Sequence, residues 1–171
     1  MRSRIGPAVL ALVGVACGSD PASLPKPAPE LRVHPLEPDG LTLAPASTDA
    51  TLVHGVQGGY HLFFDLRVRG LEPGQVLVER AVYDAAGTLL LLNKDRRDLV
   101  PSASDADWLE SAAPVPFILC PSPFVMYGVP LRFDFAVTDD NDHHVAGSLT
   151  VTPHCPQDSA SLCQMICAAN G

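Results

Sequence analysis

The side chains in this chain best suited to chemistry are its 6 histidines and 5 cysteines. The string HGVQGGYH, residues 54–61, places His54 and His61 around Gly55, Gly58 and Gly59. Two imidazoles there would suit a metal, and the glycines would let backbone approach a ligand closely. No third ligand can be nominated, so a glycine turn opening a strand, with His61 on its outer face, is the favoured reading. The string TDDNDHHV, residues 138–145, crowds Asp139, Asp140, Asn141 and Asp142 against His143 and His144. It is rich in oxygen ligands, but the glycine and distal glutamate of an EF-hand loop are absent. Neighbouring histidines point to opposite sides of an extended chain, so a solvated hairpin tip that titrates near neutral pH is expected. His54, His61, His143 and His144 are thus only weak metal candidates, and no metal or other cofactor is expected. Nucleophile elbow, zinc-protease, Walker and dinucleotide motifs are all missing. Asp65, Glu79 and Asp134 fall at outward or undefined strand positions, where solvation accounts for them without acid–base work. The expectation is a protein that is not an enzyme.

Apart from Cys17, the cysteines are Cys120, Cys155, Cys163 and Cys167, an even set that suits two disulfides in an oxidising compartment. Three pairings are possible. Cys120 with Cys155 or with Cys163 is favoured, because the tail from 155 onward lacks the apolar mass to hold itself down. A zinc site from His154, Cys155, Cys163 and Cys167 is the rival, but its Cys-x7-Cys-x3-Cys spacing is not the paired CxxC of a zinc ribbon.

These residues need elements to position them, and the elements read as strands. YHLFFDLRVRG alternates from Tyr60 to Val68, with Leu62, Phe64 and Leu66 on the apolar side. GLEPG makes a turn, Gln75–Tyr83 a second strand, DAAG a hairpin, and Thr88–Asn93 the returning strand. LRFDFAVT alternates again from Leu131, and Val145–Thr152 is its partner across the acidic turn. Leu41–Leu43, Thr51–Val53 and Phe117–Leu119 are shorter edge candidates. A helical turn is expected at Ser104–Glu110, capped by Ser104 with Trp108 and Leu109 docked, and a short helix near the C-terminus. About seven short strands with almost no helical periodicity predict an all-β fold: an antiparallel β-sandwich, immunoglobulin-like or fibronectin-like, with a short disulfide-linked tail.

The N-terminus gives location. Arg2 and Arg4 precede an apolar run from Ile5 to Ala16 and a small-residue site, the parts of a secretory signal peptide. With Cys17 next, the segment resembles the lipobox of bacterial lipoproteins, although Gly14 stands where an aliphatic residue is usual. That resemblance implies a diacylglyceryl group on Cys17, removal of residues 1–16 and export. Residues 17–38, with six prolines from Pro21 to Pro38, read as an extended tether. Residues 39–155 are the sandwich domain and 156–171 the cysteine-containing tail. The exported part keeps 9 basic against 19 acidic residues, a formal charge of −10, which argues against nucleic acid and anionic membrane surfaces. No other apolar run reaches the roughly 18–20 residues of a membrane span, so bilayer contact is expected through acylated Cys17 alone. Gly18, where enteric bacteria use Asp for inner-membrane retention, points to the outer membrane of a Gram-negative cell.

Gln57, Gly58, Gly59 and His61 open the first long strand, Val137, Thr138 and Asp139 begin the late hairpin, and Cys155 closes the domain. In this the chain resembles uncharacterised lipoproteins and secreted proteins of myxobacteria and related Gram-negative bacteria, over roughly residues 52–155. The late turn departs from that pattern, with DNDHH where a glycine is usual. The resemblance implies an immunoglobulin-like domain with no assigned activity. The expected function is a non-enzymatic envelope lipoprotein that binds an unknown envelope protein or glycan; the alternative is a small metal-binding or enzymatic module using the surface histidines.

Overall fold

The computed structural model describes residues 28–40, 42–44, 48–56 and 58–168; the signal segment and Cys17 lie outside them. The described residues form ten strands: β1 (Glu30–Pro35), β2 (Asp49–Thr51), β3 (Val53–His54), β4 (Tyr60–Arg69), β5 (Gly74–Tyr83), β6 (Leu89–Pro101), β7 (Leu109–Ser111), β8 (Val115–Cys120), β9 (Leu131–Thr138) and β10 (His144–His154). A 3₁₀ turn, Gln157–Ser159, leads into the one helix among the described residues, α1 (Ala160–Cys167). The fold is all-β, as the alternation predicts.

The strands are hydrogen-bonded in the order β1-β4-β7-β6-β5-β9-β10-β2, with β3 and β8 also on β4. The path curls back on itself, so that the β1 carbonyl of Leu31 lies close over Gly147 of β10. The result departs from a seven-stranded antiparallel arrangement in two ways. There are ten strands, and β2 runs parallel to β10, with Asp49 beside Thr152 and Thr51 beside His154.

Residues alternate in and out as the sequence requires. Tyr60, Leu62, Phe64, Leu66 and Val68 of β4 are all buried, as are Leu131, Phe133, Phe135 and Val137 of β9. Phe64, Phe117, Phe133 and Phe135 meet at the centre with ring centroids 5.1 to 5.7 Å apart, mostly edge to face.

Three hairpin turns share one design. Gly55, Asp84 and Asp139 each donate an amide to the residue four positions on, and Gly58, Gly87 and Asp142 take positive φ values of 87°, 82° and 62°. This is a three-residue loop closed by a left-handed residue. Asp84 and Asp139 stabilise it alike, each accepting amides from two and four residues ahead.

Four expectations change. Residues 30–35, expected within the tether, form β1 against β4, because Leu31 and Val33 alternate onto the core and Pro35 ends the strand. β6 runs on to Pro101 through the charged string NKDRRD, which carries no apolar alternation. Ser104–Glu110 forms a bend into β7 and not a helical turn, although Trp108 is docked at 4% exposure. The disulfides pair Cys120 with Cys167 and Cys155 with Cys163. Cys163 and Cys167 lie one turn apart on the buried side of α1, so the last turn reaches the end of β8 while the first stays beside Cys155.

Candidate functional site

The histidines are separately engaged. The His61 ring lies over Gly55, where a Cβ would fall 2.3 Å from Nε2, and a Cβ at Gly59 would fall 2.5 Å from the Cys120 carbonyl oxygen. These two glycines therefore serve close packing of the turn. His54 tilts against Tyr60 with centroids 5.1 Å apart. Burial, and then the neighbouring His54, push the His61 pKa down. His143 Nδ1 lies 2.9 Å from Asp139 Oδ2, whereas His144 Nδ1 lies 3.2 Å from Thr138 Oγ1. His154 Nε2 is 3.0 Å from Asp49 Oδ1, and Cys155, Cys163 and Cys167 are all in disulfides, so the four do not assemble as zinc ligands. Among the described residues, no group of three or more His, Cys, Asp or Glu side chains is placed to hold a metal.

A broad concavity lies on the outer face of β5, β9 and β10. Opposed residues of an antiparallel pair share a face, so Ala81, Asp134 and Ser148 form one row and Glu79, Ala136 and Ala146 the next. The small side chains sink the middle of the sheet into a depression of about 500 Å³, rimmed by Tyr83 and Leu92. Polar groups flank it in pairs: Glu79 with Lys94, and Asp134 with Arg132 at 3.1 Å. The Arg132 guanidinium also covers the Tyr83 ring, 4.3 Å from its centroid.

A second, polar groove of about 330 Å³ lies on the other side of the molecule, lined by Asp65, Arg67, Ser104, Glu110 and Ser111 with Leu36, Leu43 and Pro114. The Ser102 hydroxyl donates to Glu110, and Arg67 Nε lies 3.3 Å from the same carboxylate oxygen. Burial raises the Asp65 carboxyl, Glu110 raises it further, and His34 and Arg67 oppose the rise. The groove thus offers a half-buried carboxyl beside a carboxylate and a guanidinium. Beside Arg67, the Trp108 ring lies beneath Arg32, Arg67 and Arg69, at 4.3, 5.6 and 5.2 Å from the ring centroid. Alternation assigns Asp65 to solvent; Glu110 and Ser102 carry no sequence signal, since it is the fold that sets the segment holding both of them against β4.

One charged side chain of β5 faces inward. Arg80 occupies the core side of β5 among Val76, Val78 and Val82 and is only 5% exposed. It donates to the Pro116 carbonyl of β8 and pairs with Asp95 of β6 at 3.0 Å, and Asp95 also holds Arg97.

Compared with known proteins, the chain matches no family model and no curated sequence.

Proposed function

We propose that this chain is a non-enzymatic lipoprotein of the cell envelope, anchored by acylated Cys17 and presenting an immunoglobulin-like β-sandwich as a binding module. The strand order supports the sandwich: β2-β10-β9-β5-β6 as one layer, with β2 parallel to β10, against β1-β4-β8 as the other. Two disulfides suit an exported protein. In this reading the chain belongs with the myxobacterial-type lipoproteins that its QGGYH strand opening resembles, and sits at the outer membrane.

The observation that carries the binding role is the depression over Ala81, Ala136, Ala146 and Ser148. An outer sheet face floored by small residues leaves room for a ligand that a row of large side chains would fill. The partner is an envelope protein or glycan; the acidic body disfavours nucleic acid.

Two measurements test this. Intact mass of protein extracted in detergent from its host is expected to give a chain starting at Cys17, carrying a lipid and four protons lighter than its reduced form. An unlipidated chain or free thiols would overturn the anchored, stapled module. Photocrosslinking from position 146 in the native envelope is expected to give a discrete adduct that Ala136→Arg abolishes. An adduct indifferent to that substitution would remove the depression from the binding role.

A further inference from the structure

Between Leu89 and Arg97, β6 is hydrogen-bonded to β5 on one side and, among the described residues, to no strand on the other; beyond it the Asp98 carbonyl accepts the Ala112 amide and β7 covers Leu99–Pro101. Such an edge presents a row of unpaired amides and carbonyls. The inward-facing side chains along it are Leu91, Asn93, Asp95 and Arg97, opposite Val82, Arg80, Val78 and Val76 of β5. Two guanidiniums, Arg80 and Arg97, therefore share the single carboxylate of Asp95. The Nε atoms of both arginines are buried without a hydrogen-bond partner. A buried cation left incompletely paired is costly, and an added carboxylate removes that cost.

We propose that the free edge of β6 docks an extended, acidic peptide strand of a partner protein. The backbone of that strand pairs with Leu89–Arg97, and a carboxylate opposite Arg97 takes its guanidinium, releasing Asp95 wholly to Arg80. Leu89 and Leu92, about half exposed, supply apolar contact at the end of the strand distant from Asp98. Inward-facing charge also blunts an edge against indiscriminate pairing, since an apolar strand gains nothing from Arg97. The same residues thus select an acidic strand over an apolar one. This surface meets the depression over Ala136 and Ala146 only at Leu92, and the inference does not rest on that reading.

The test uses a synthetic ten-residue peptide alternating valine and glutamate, its lysine counterpart as control, and the full exported chain. Fluorescence anisotropy is expected to detect the acidic peptide alone. Arg97→Gln and Arg97→Glu should each weaken it at least tenfold, whereas Ala136→Arg should leave it unchanged. Near-ultraviolet dichroism of Trp108 checks that each variant is folded, and hydrogen exchange should show new amide protection confined to β6. No binding, equal binding of both peptides, or binding indifferent to Arg97→Gln would overturn the proposal. Self-association of the chain that Arg97→Glu abolishes would also overturn it, and give the edge to a second copy.

Discussion

At the scale of single residues, the acidic turn is a structural device rather than a site. Asp139, 6% exposed, accepts the amides of Asn141, His143 and Glu72 and the His143 ring. Burial raises its carboxyl, but the hydrogen bonds from His143, Asn141 and Glu72 outweigh that and hold its pKa below the ordinary aspartate value. The unfolded chain therefore binds this proton more readily. The stabilisation is complete above about pH 4 and is lost as pH falls through the lower folded value. Asp139→Asn should flatten the acid limb of a stability–pH profile from urea melts; an unchanged limb would refute the assignment. Three residues on, Asp142 holds the left-handed position that Gly87 fills in the matching turn of β5 and β6. An L-residue is strained there, though glycine adds freedom to the unfolded chain. Asp142→Gly should stabilise by about 0.5 kcal/mol, and Gly87→Asp should destabilise by about 0.5–1 kcal/mol. The sequence displays the aspartates and histidines of this turn plainly; only the hydrogen bonds reveal that Asp139 works on its own backbone. Arg80 is legible in principle, as a charge interrupting the alternation of QVLVERAVY, yet Asp95 lies beyond the returning strand expected at Thr88–Asn93, and Pro116 comes from β8, which nothing local connects to it.

At the scale of elements, α1 is short and shows how much covalent stapling does. Eight residues are too few for a helix to persist alone. It is held because Cys163 and Cys167 are buried against the core and both are bonded. The Cys120–Cys167 bridge spans 47 residues and the Cys155–Cys163 bridge 8. In the chain-entropy model these loops correspond to about 4 and about 2.5 kcal/mol. Cys120→Ala with Cys167→Ala should therefore cost more in thermal unfolding than Cys155→Ala with Cys163→Ala, and the reverse order would contradict this account. The segment from Ser102 to Trp108 is held differently, by an indole beneath three guanidiniums and by Ser102 on Glu110. Trp108→Ala should cost roughly 3 kcal/mol, seen as a lower urea midpoint. Capping and apolar residues in SASDADWLE predict a helical turn, but β7 wins because Leu109 and Glu110 find edge partners on β4 and β6. Local propensity over so few residues is weak against two ladders of tertiary hydrogen bonds.

At the scale of the whole molecule, the difference between sequence and structure turns on β1. Prolines at 25, 27, 29, 35 and 38 mark residues 17–38 as a tether, and the only contrary signal is the two-residue alternation of Leu31 and Val33. Strands with five or more alternating apolar positions, such as β4, are legible alone; a strand with two is decided by whether a neighbour needs its edge covered. β4 does, because Val68, Leu66 and Phe64 lie opposite Leu31, Val33 and Pro35. With the body starting at residue 30, the tether proposed to follow Cys17 would span about 13 residues, roughly 40 Å if fully extended. A chain beginning at residue 28 should unfold cooperatively with the stability of a chain beginning at Cys17. A chain beginning at 39 loses Leu31, Val33, Pro35 and Leu36 from the interior, at about 1.5–3 kcal/mol for each fully buried aliphatic side chain. It should be at least about 4 kcal/mol less stable and should expose the β4 edge, giving concentration-dependent association in sedimentation. Equal stability of the two chains would return residues 30–35 to the tether and leave β4 as the true edge of the body.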